Sequence, residues 1–224
     1  MSFIWRDSDA WQRLHPLGPA APALVGALAL VQIAGGAALP FAVMMRPAAV
    51  ALTIAYAFFT LTCVPGIALA PLSPVNYVDF FEQLSIVCGM LAILDYRRSA
   101  RIGYGVCTLS FAWAQAVYPQ YTASLVPLWI PPGQMFWTIL TTIAFALAGI
   151  AVLIDVRARL ALQMSALMMG LFGILIWVPH IVTAPHDLSN WNEIATNYLI
   201  TGAALAVMGG LRASESAYAA RPLQ

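Results

Sequence analysis

The chain has 224 residues, of which 62% are hydrophobic and only 8% charged, and its mean hydropathy is +0.83. A water-soluble domain carries about 25% charged residues, so this composition excludes one and predicts a membrane protein whose first partner is the lipid bilayer. Ten basic side chains, every one an arginine, stand against nine acidic ones, leaving no broad cationic face for counterion release; nucleic acid is excluded as a partner.

In chain order, the first 21 residues mix Phe3, Ile4, Trp5 and Trp11 with Arg6, Asp7, Asp9 and Arg13. That pattern predicts an interfacial N-terminal segment lying on the membrane and does not read as a cleavable signal peptide. A hydrocarbon core of about 30 Å takes about 20 apolar residues of helix. Seven runs of that kind follow, near Pro22–Met45, Pro47–Leu69, Tyr77–Leu94, Ile102–Tyr118, Gln134–Val156, Leu160–Val182 and Asn192–Leu211. The expected fold is therefore all-α, a polytopic transmembrane helical bundle of about seven spans. Residues 22–118 form a first membrane half with helices 1–4, 119–133 an outer Pro/Trp loop, 134–212 a second half with helices 5–7, and 213–224 a cytoplasmic tail. The fourth run is short and broken by Gln115, which leaves a six-span version open.

Arginines near span ends stay in the cytoplasm. Arg46, Arg97, Arg98, Arg101, Arg157, Arg159, Arg212 and Arg221 all fall on one side of a seven-span chain. The N-terminus is thus expected outside and the C-terminus in the cytoplasm. Shifting the sequence on itself by 114 residues lays Ala34-Gly35 on Ala148-Gly149, Phe58 on Phe172, Val64-Pro65 on Val178-Pro179 and Ala70-Pro71 on Ala184-Pro185. Beyond a loop of different length, Phe80-Phe81-Glu82-Gln83 can be laid over Trp191-Asn192-Glu193-Ile194. Two parallel three-helix repeats joined by a linking helix are expected from this, unlike the inverted repeats of many transporters.

Ionisable groups at span ends are costly and so are candidates for function. Glu82, Gln115, His180, His186, Asp187 and Glu193 gather at the outer end, with Trp177 and Trp191 close in sequence. His180, Glu193, Glu82, Trp177, Trp191 and Gln115 are the candidate ligand-binding residues, with a quinone as the candidate ligand. His180, His186 and Asp187 are a weaker candidate for metal, because a His-x5-His spacing across Pro185 is neither a helical pair nor a zinc motif. The plainer alternative is that His180 bonds a carbonyl freed by Pro179 while the acidic residues cap helices. If His180 is a site residue, its ring should face the bundle interior within reach of Glu193 or Glu82. Cys63, Cys88 and Cys107 lie in apolar runs with no Cys-x-x-Cys spacing and read as small apolar fillers.

The run Tyr118-Pro119, Leu125-Val126-Pro127-Leu128-Trp129-Ile130-Pro131, Phe136-Trp137, Ala158-Arg159-Leu160-Ala161 and Trp177-Val178-Pro179-His180, with the closing Trp191-Asn192-Glu193, resembles the bacterial DoxX-like membrane proteins. The resemblance covers residues 110–211 and reaches the first half only through the repeat. It implies a compact four-helix unit, a place in the bacterial cytoplasmic (inner) membrane, and the family's name-giving role as a membrane subunit of a thiosulfate:quinone oxidoreductase. Of the polar positions, His180 alone carries over. The chain departs from the family at Ala114-Gln115-Ala116-Val117, where many members carry an acidic residue and a histidine. With no ligand set for haem, flavin or iron–sulfur, it is not expected to be an enzyme on its own. The leading expectation is a non-catalytic accessory or assembly subunit of an envelope complex. A quinone-binding subunit of a membrane oxidoreductase, with a redox partner subunit, and a small-molecule transporter are the alternatives.

Overall fold

A computed structural model describes residues 15–219, and among them every regular element is helical. A 3-10 turn, His15–Ala20, leads into α1 (Ala21–Ala38), α2 (Ala42–Leu69), α3 (Val75–Ile93) and α4 (Arg97–Val117). A short α5 (Pro119–Leu125) precedes α6 (Gln134–Leu153) and α7 (Ala158–Phe172). A π-helical turn at Gly173–Trp177 joins α7 to α8 (Val178–Thr183), and α9 (Leu188–Ala219) closes the bundle. The interfacial segment expected over residues 1–21 lies, for 1–14, outside the described residues, as does 220–224 of the tail.

Five helical stretches are long and apolar enough to cross a membrane, at 18–38, 42–69, 134–153, 158–183 and 188–211. α3 and α4 have 19 and 21 residues. At 1.5 Å per residue that is about 28 and 32 Å, a spanning length, but with more polar side chains. Their position explains it: α3 packs on α2, α4 and α9, and α4 on α3 and α6, so both have helices rather than lipid on most sides. The side chains facing outward, such as Leu30, Ile33, Ile54, Ile143 and Leu147, are apolar, as a bilayer requires.

Three boundaries differ from those read in the sequence. The first two spans are divided at Leu39–Phe41 rather than beside Arg46, because Pro40 has no amide to continue α1 and Phe41 is extended, with φ −91° and ψ 116°. Arg46 and Pro47 therefore lie inside α2. The outer loop 119–133 is partly helical, at α5, and the tail from residue 213 continues α9 as far as Ala219.

The centre of the bundle is the crossing of α3 and α9. A Cβ on Gly89 would lie 2.6 Å from both Cα and Cβ of Ala203, so the two backbones touch there. Small residues at crossings are how membrane helices approach, since lipid supplies no hydrophobic drive for helix to meet helix. Gly89 and Ala203 are themselves 114 residues apart. Ile86, Ile200, Ala204, Val207 and the α4 residues Tyr104 and Cys107 fill the surrounding core. Cys88 on α3 and Cys107 on α4 are both buried and free within this core.

Arginines collect at one end of this bundle. α3 and α6 both stop in a left-handed aspartate, Asp95 (φ +71°) and Asp155 (φ +62°). The amides that follow turn back on the helix ends, Tyr96 N–H to the Leu91 carbonyl at 2.9 Å and Val156 N–H to the Ala151 carbonyl at 3.0 Å, as in a Schellman motif. Each aspartate then takes arginines. Asp95 accepts from Arg97 at 2.8 Å and Arg46 at 2.9 Å, and Asp155 lies 3.6 Å from Arg101. Arg101 also donates to the last carbonyls of α6, Val152 and Leu153.

Two predictions follow from this packing. Gly89→Leu must push α3 and α9 apart and should cost about 1–3 kcal/mol of stability in detergent. Gly36→Ala, which meets nothing within 4 Å, should be nearly neutral in the same thermal melts. At the arginine end, hydrogen bonds from Arg97 and then Arg46 hold the Asp95 carboxyl below the usual carboxylate range. Its contribution is therefore present above about pH 4 and lost as pH falls further, through the lowered value. The melting difference between the wild type and Asp95→Asn should persist at pH 7 and pH 5 and close below about pH 4.

Candidate functional site

The end opposite the arginines holds every polar residue singled out in the sequence, and its geometry starts from a backbone problem. A helix that stops leaves its last carbonyls without amide partners, and in a membrane bundle there is little water to take their place. At the end of α2, Pro71 cannot continue the helix, and the chain leaves it at Ala70 with φ −139° and ψ 70°. The Ala70 amide bonds the Gly66 carbonyl at 3.1 Å and the Ser73 amide the Ala70 carbonyl at 3.0 Å. Asn76 Nδ2, from the first turn of α3, then donates to the carbonyls of Gly66 and Ala70 at 3.0 and 3.2 Å. The Tyr77 hydroxyl donates to the Pro71 carbonyl at 2.9 Å.

The turn between α8 and α9 is built from the same bonds. Ala184 has φ −136° and ψ 69°. Its amide bonds the His180 carbonyl at 2.9 Å, and the Asp187 amide bonds the Ala184 carbonyl at 3.1 Å. Asn190 Nδ2 donates to the His180 carbonyl at 3.3 Å, and Trp191 Nε1 to the Pro185 carbonyl at 3.0 Å. Every donor and acceptor here lies 114 residues after its counterpart in the first turn. The shift therefore runs on through the loop without a change of length. It places Asn76 opposite Asn190, Tyr77 opposite Trp191 and Asp79 opposite Glu193; the pairing of Glu82 with Glu193 suggested by the sequence is replaced.

His180 bonds a backbone carbonyl of its own helix. Pro179 has no amide for the preceding turn, and the backbone widens into the π-turn, where the Val178 amide reaches the Gly173 carbonyl. The imidazole Nδ1 lies 2.7 Å from the Ile176 carbonyl, one turn back on the same helix, and its ring stands 5.6 Å from that of Trp177. His186 is exposed beyond the helix end, and Asp187 Oδ1 accepts the Ser189 amide at 3.0 Å as an ordinary start to α9. Among the described residues no three His, Cys, Asp or Glu side chains gather into a group that could hold a metal ion. Glu193 is half-buried, and its backbone carbonyl accepts Asn197 Nδ2 at 2.9 Å; Glu82 is half-buried on α3, its carbonyl taken by the Ser85 hydroxyl at 2.7 Å. Gln115 is remote from His180 in role: its Oε1 lies 3.1 Å from the hydroxyls of both Thr141 and Thr142, pinning α4 to α6. Nearby, Trp137 Nε1 bonds the Pro131 carbonyl at 3.0 Å and Gln134 Nε2 the Val126 carbonyl, which ties down the Val-Pro-Leu-Trp-Ile-Pro loop.

Sequence reasoning missed a cleft on the first turn. Where the second turn carries Trp177, His180 and Glu193, the first carries Cys63, Gly66 and Asp79. The smaller side chains leave an open cleft of about 110 Å³ lined by Thr62, Cys63, Gly66, Asn76 and Asp79. At the equivalent positions of the second turn stand an indole and an imidazole, 5.6 Å apart. Recurrence of Ala-Pro-x4-Asn-aromatic at 70–77 and 184–191 was the available signal.

Since Asn190 is buried and Asn76 half-exposed, their removal should be unequal. Asn190→Ala removes a buried donor to the His180 carbonyl, which the Ala184 amide still bonds, and should cost about 1–1.5 kcal/mol, and Asn76→Ala, in a half-exposed place, about 0.5–1 kcal/mol. Thermal unfolding in one detergent checks the order; equal, negligible losses would contradict a capping role.

The chain matches no protein-family model, no curated protein and no solved structure.

Proposed function

We propose that this chain is a DoxX-like, multi-pass protein of a bacterial cytoplasmic membrane, acting as a non-catalytic accessory or assembly subunit of an envelope complex. Seven spans are supported by the spanning length of α3 and α4 beside five more apolar helical stretches. Duplication in parallel orientation is supported by the two outer turns matching bond for bond at a shift of 114, and by Gly89 meeting its own counterpart Ala203. The N-terminus is assigned outside and the C-terminus inside, because Arg46, Arg97 and Arg101 meet Asp95 and Asp155 at one end.

The observation that carries the accessory reading is the use made of the polar side chains. His180, Asn190, Trp191, Asn76, Tyr77 and Gln115 all bond the chain's own helix ends or neighbouring helices. They build a fixed end surface, which suits a scaffold more than a reaction. The quinone alternative draws its support from Trp177 and His180, an indole beside an imidazole in the last turns of a span. Native mass spectrometry of protein extracted in mild detergent separates the two. The expected outcome is a co-purifying protein subunit and no quinone. Quinone retained by the wild type and lost in His180→Ala would move the assignment to the redox subunit.

A further inference from the structure

Helix α4 lies in a groove whose two walls are α3 and α6. On α3 the wall is Ser85, Cys88 and Ala92, and on α6 it is Thr138, Phe145, Ala148 and Val152, all of them buried. The fit is close on both sides. A Cβ on Gly103 would come 2.6 Å from Cys88 Sγ, and one on Gly149 would come 2.7 Å from Leu109 Cγ. The Tyr104 hydroxyl reaches the Ile200 carbonyl at the floor, 3.4 Å away, and Arg101 caps the carbonyls that end α6.

A shift of 114 carries these walls to a second groove. Its α9 side is Leu199, Gly202 and Ala206, and its α1 side is Leu24, Val31, Ala34 and Ala38. None of the seven is buried. Leu199 is 38% exposed where its counterpart Ser85 is 0%. A Cβ on Gly202 would meet nothing within 4 Å, whereas Cys88, its counterpart, is pressed by Gly103. Among the described helices α1 packs mainly on α2, and nothing fills the place that α4 fills on the other side.

We infer that the face between α1 and α9 is a docking groove for one transmembrane helix of another polypeptide, lying antiparallel to both as α4 lies to α3 and α6. Apolarity does not select this face, because the whole outer surface is apolar; equivalence to an occupied groove does. The small residues are on the groove side at Gly202, Ala206 and Gly209, so the visiting helix brings branched apolar side chains, as Leu109 does against Gly149. It enters from the arginine end and carries a basic residue in its first turns, which reaches the carbonyls ending α1 at Ala38 and Leu39 as Arg101 does on α6. A second copy of this chain fits less well. Its antiparallel helices α2 and α7 begin with Arg46, already bonded to Asp95 at 2.9 Å, and Arg159, which also has a partner, while α4 is enclosed. This inference rests on the duplication and names the partner chemistry for the accessory reading.

A probe is available in the chain itself. A lysine-tagged peptide of residues 95–118 carrying Gly103→Cys and Cys107→Ala is added to nanodiscs holding the full chain with Cys63, Cys88 and Cys107 replaced by Ala. One sample carries Gly202→Cys and a lipid-facing control carries Ile143→Cys. Disulfide yield at residue 202 should exceed that at 143 roughly tenfold, a ratio equivalent to about 1.4 kcal/mol. Equal yields, or none, would overturn the groove. Self-disulfides of Gly202→Cys protein without peptide would assign the face to a second copy and overturn the partner helix. Because the peptide is supplied, cross-linking without any co-purified subunit would keep the groove and remove the accessory reading, and the converse would do the reverse.

Discussion

The structure turns on the carbonyls that a stopped helix leaves unpaired where water is scarce. An unsatisfied backbone group in that setting costs several kcal/mol, more than most side-chain contacts return. At the end opposite the arginines the chain answers with asparagine amides and aromatic donors reaching back across a six-residue turn, at Pro71 with Tyr77 and at Pro185 with Trp191. At the opposite end it answers with left-handed aspartates and with Arg101 on the last carbonyls of α6. Once both ends are closed in this way the lengths and tilts of the helices are set, and small residues such as Gly89 and Gly149 let the bundle close.

The same constraint accounts for His180. The helix widens by one residue ahead of Pro179, and the imidazole that follows bonds the Ile176 carbonyl of the same helix. Nothing about a histidine in that place requires a ligand. The first turn carries glycine at the matching position, beside the cleft lined by Cys63 and Asp79.

The apolar, all-helical character was legible in the sequence, since bilayer thickness acts on composition. Span ends were less so. Pro47 looked like the natural break between the first two spans, yet Pro40 stops α1, and Pro47 sits inside α2. Glu82 and Glu193 stand out in the sequence as charges, whereas the residues that hold the two turns are the uncharged Asn76 and Asn190. Pairs made across the bundle, such as Gln115 with Thr141 and Thr142 or Arg46 with Asp95, have sequence separations of 26 to 49 and no local pattern to announce them.

The central claim is that α3 and α9 cross with Gly89 against Ala203. A chain with Cys63, Cys88 and Cys107 replaced by Ala, and with Gly89→Cys and Ala203→Cys introduced, measures it directly. The two Cβ positions would lie 2.6 Å apart where a disulfide needs about 3.5–4.5 Å, so the helices need part by only about 1 Å for the bond to form. Oxidation should give an intramolecular bond, seen as a mobility shift reversed by reductant, while Gly89→Cys with Thr196→Cys, two turns away, should give none. No bond at 89–203, or equal bonding in both pairs, would contradict the crossing and with it the paired architecture.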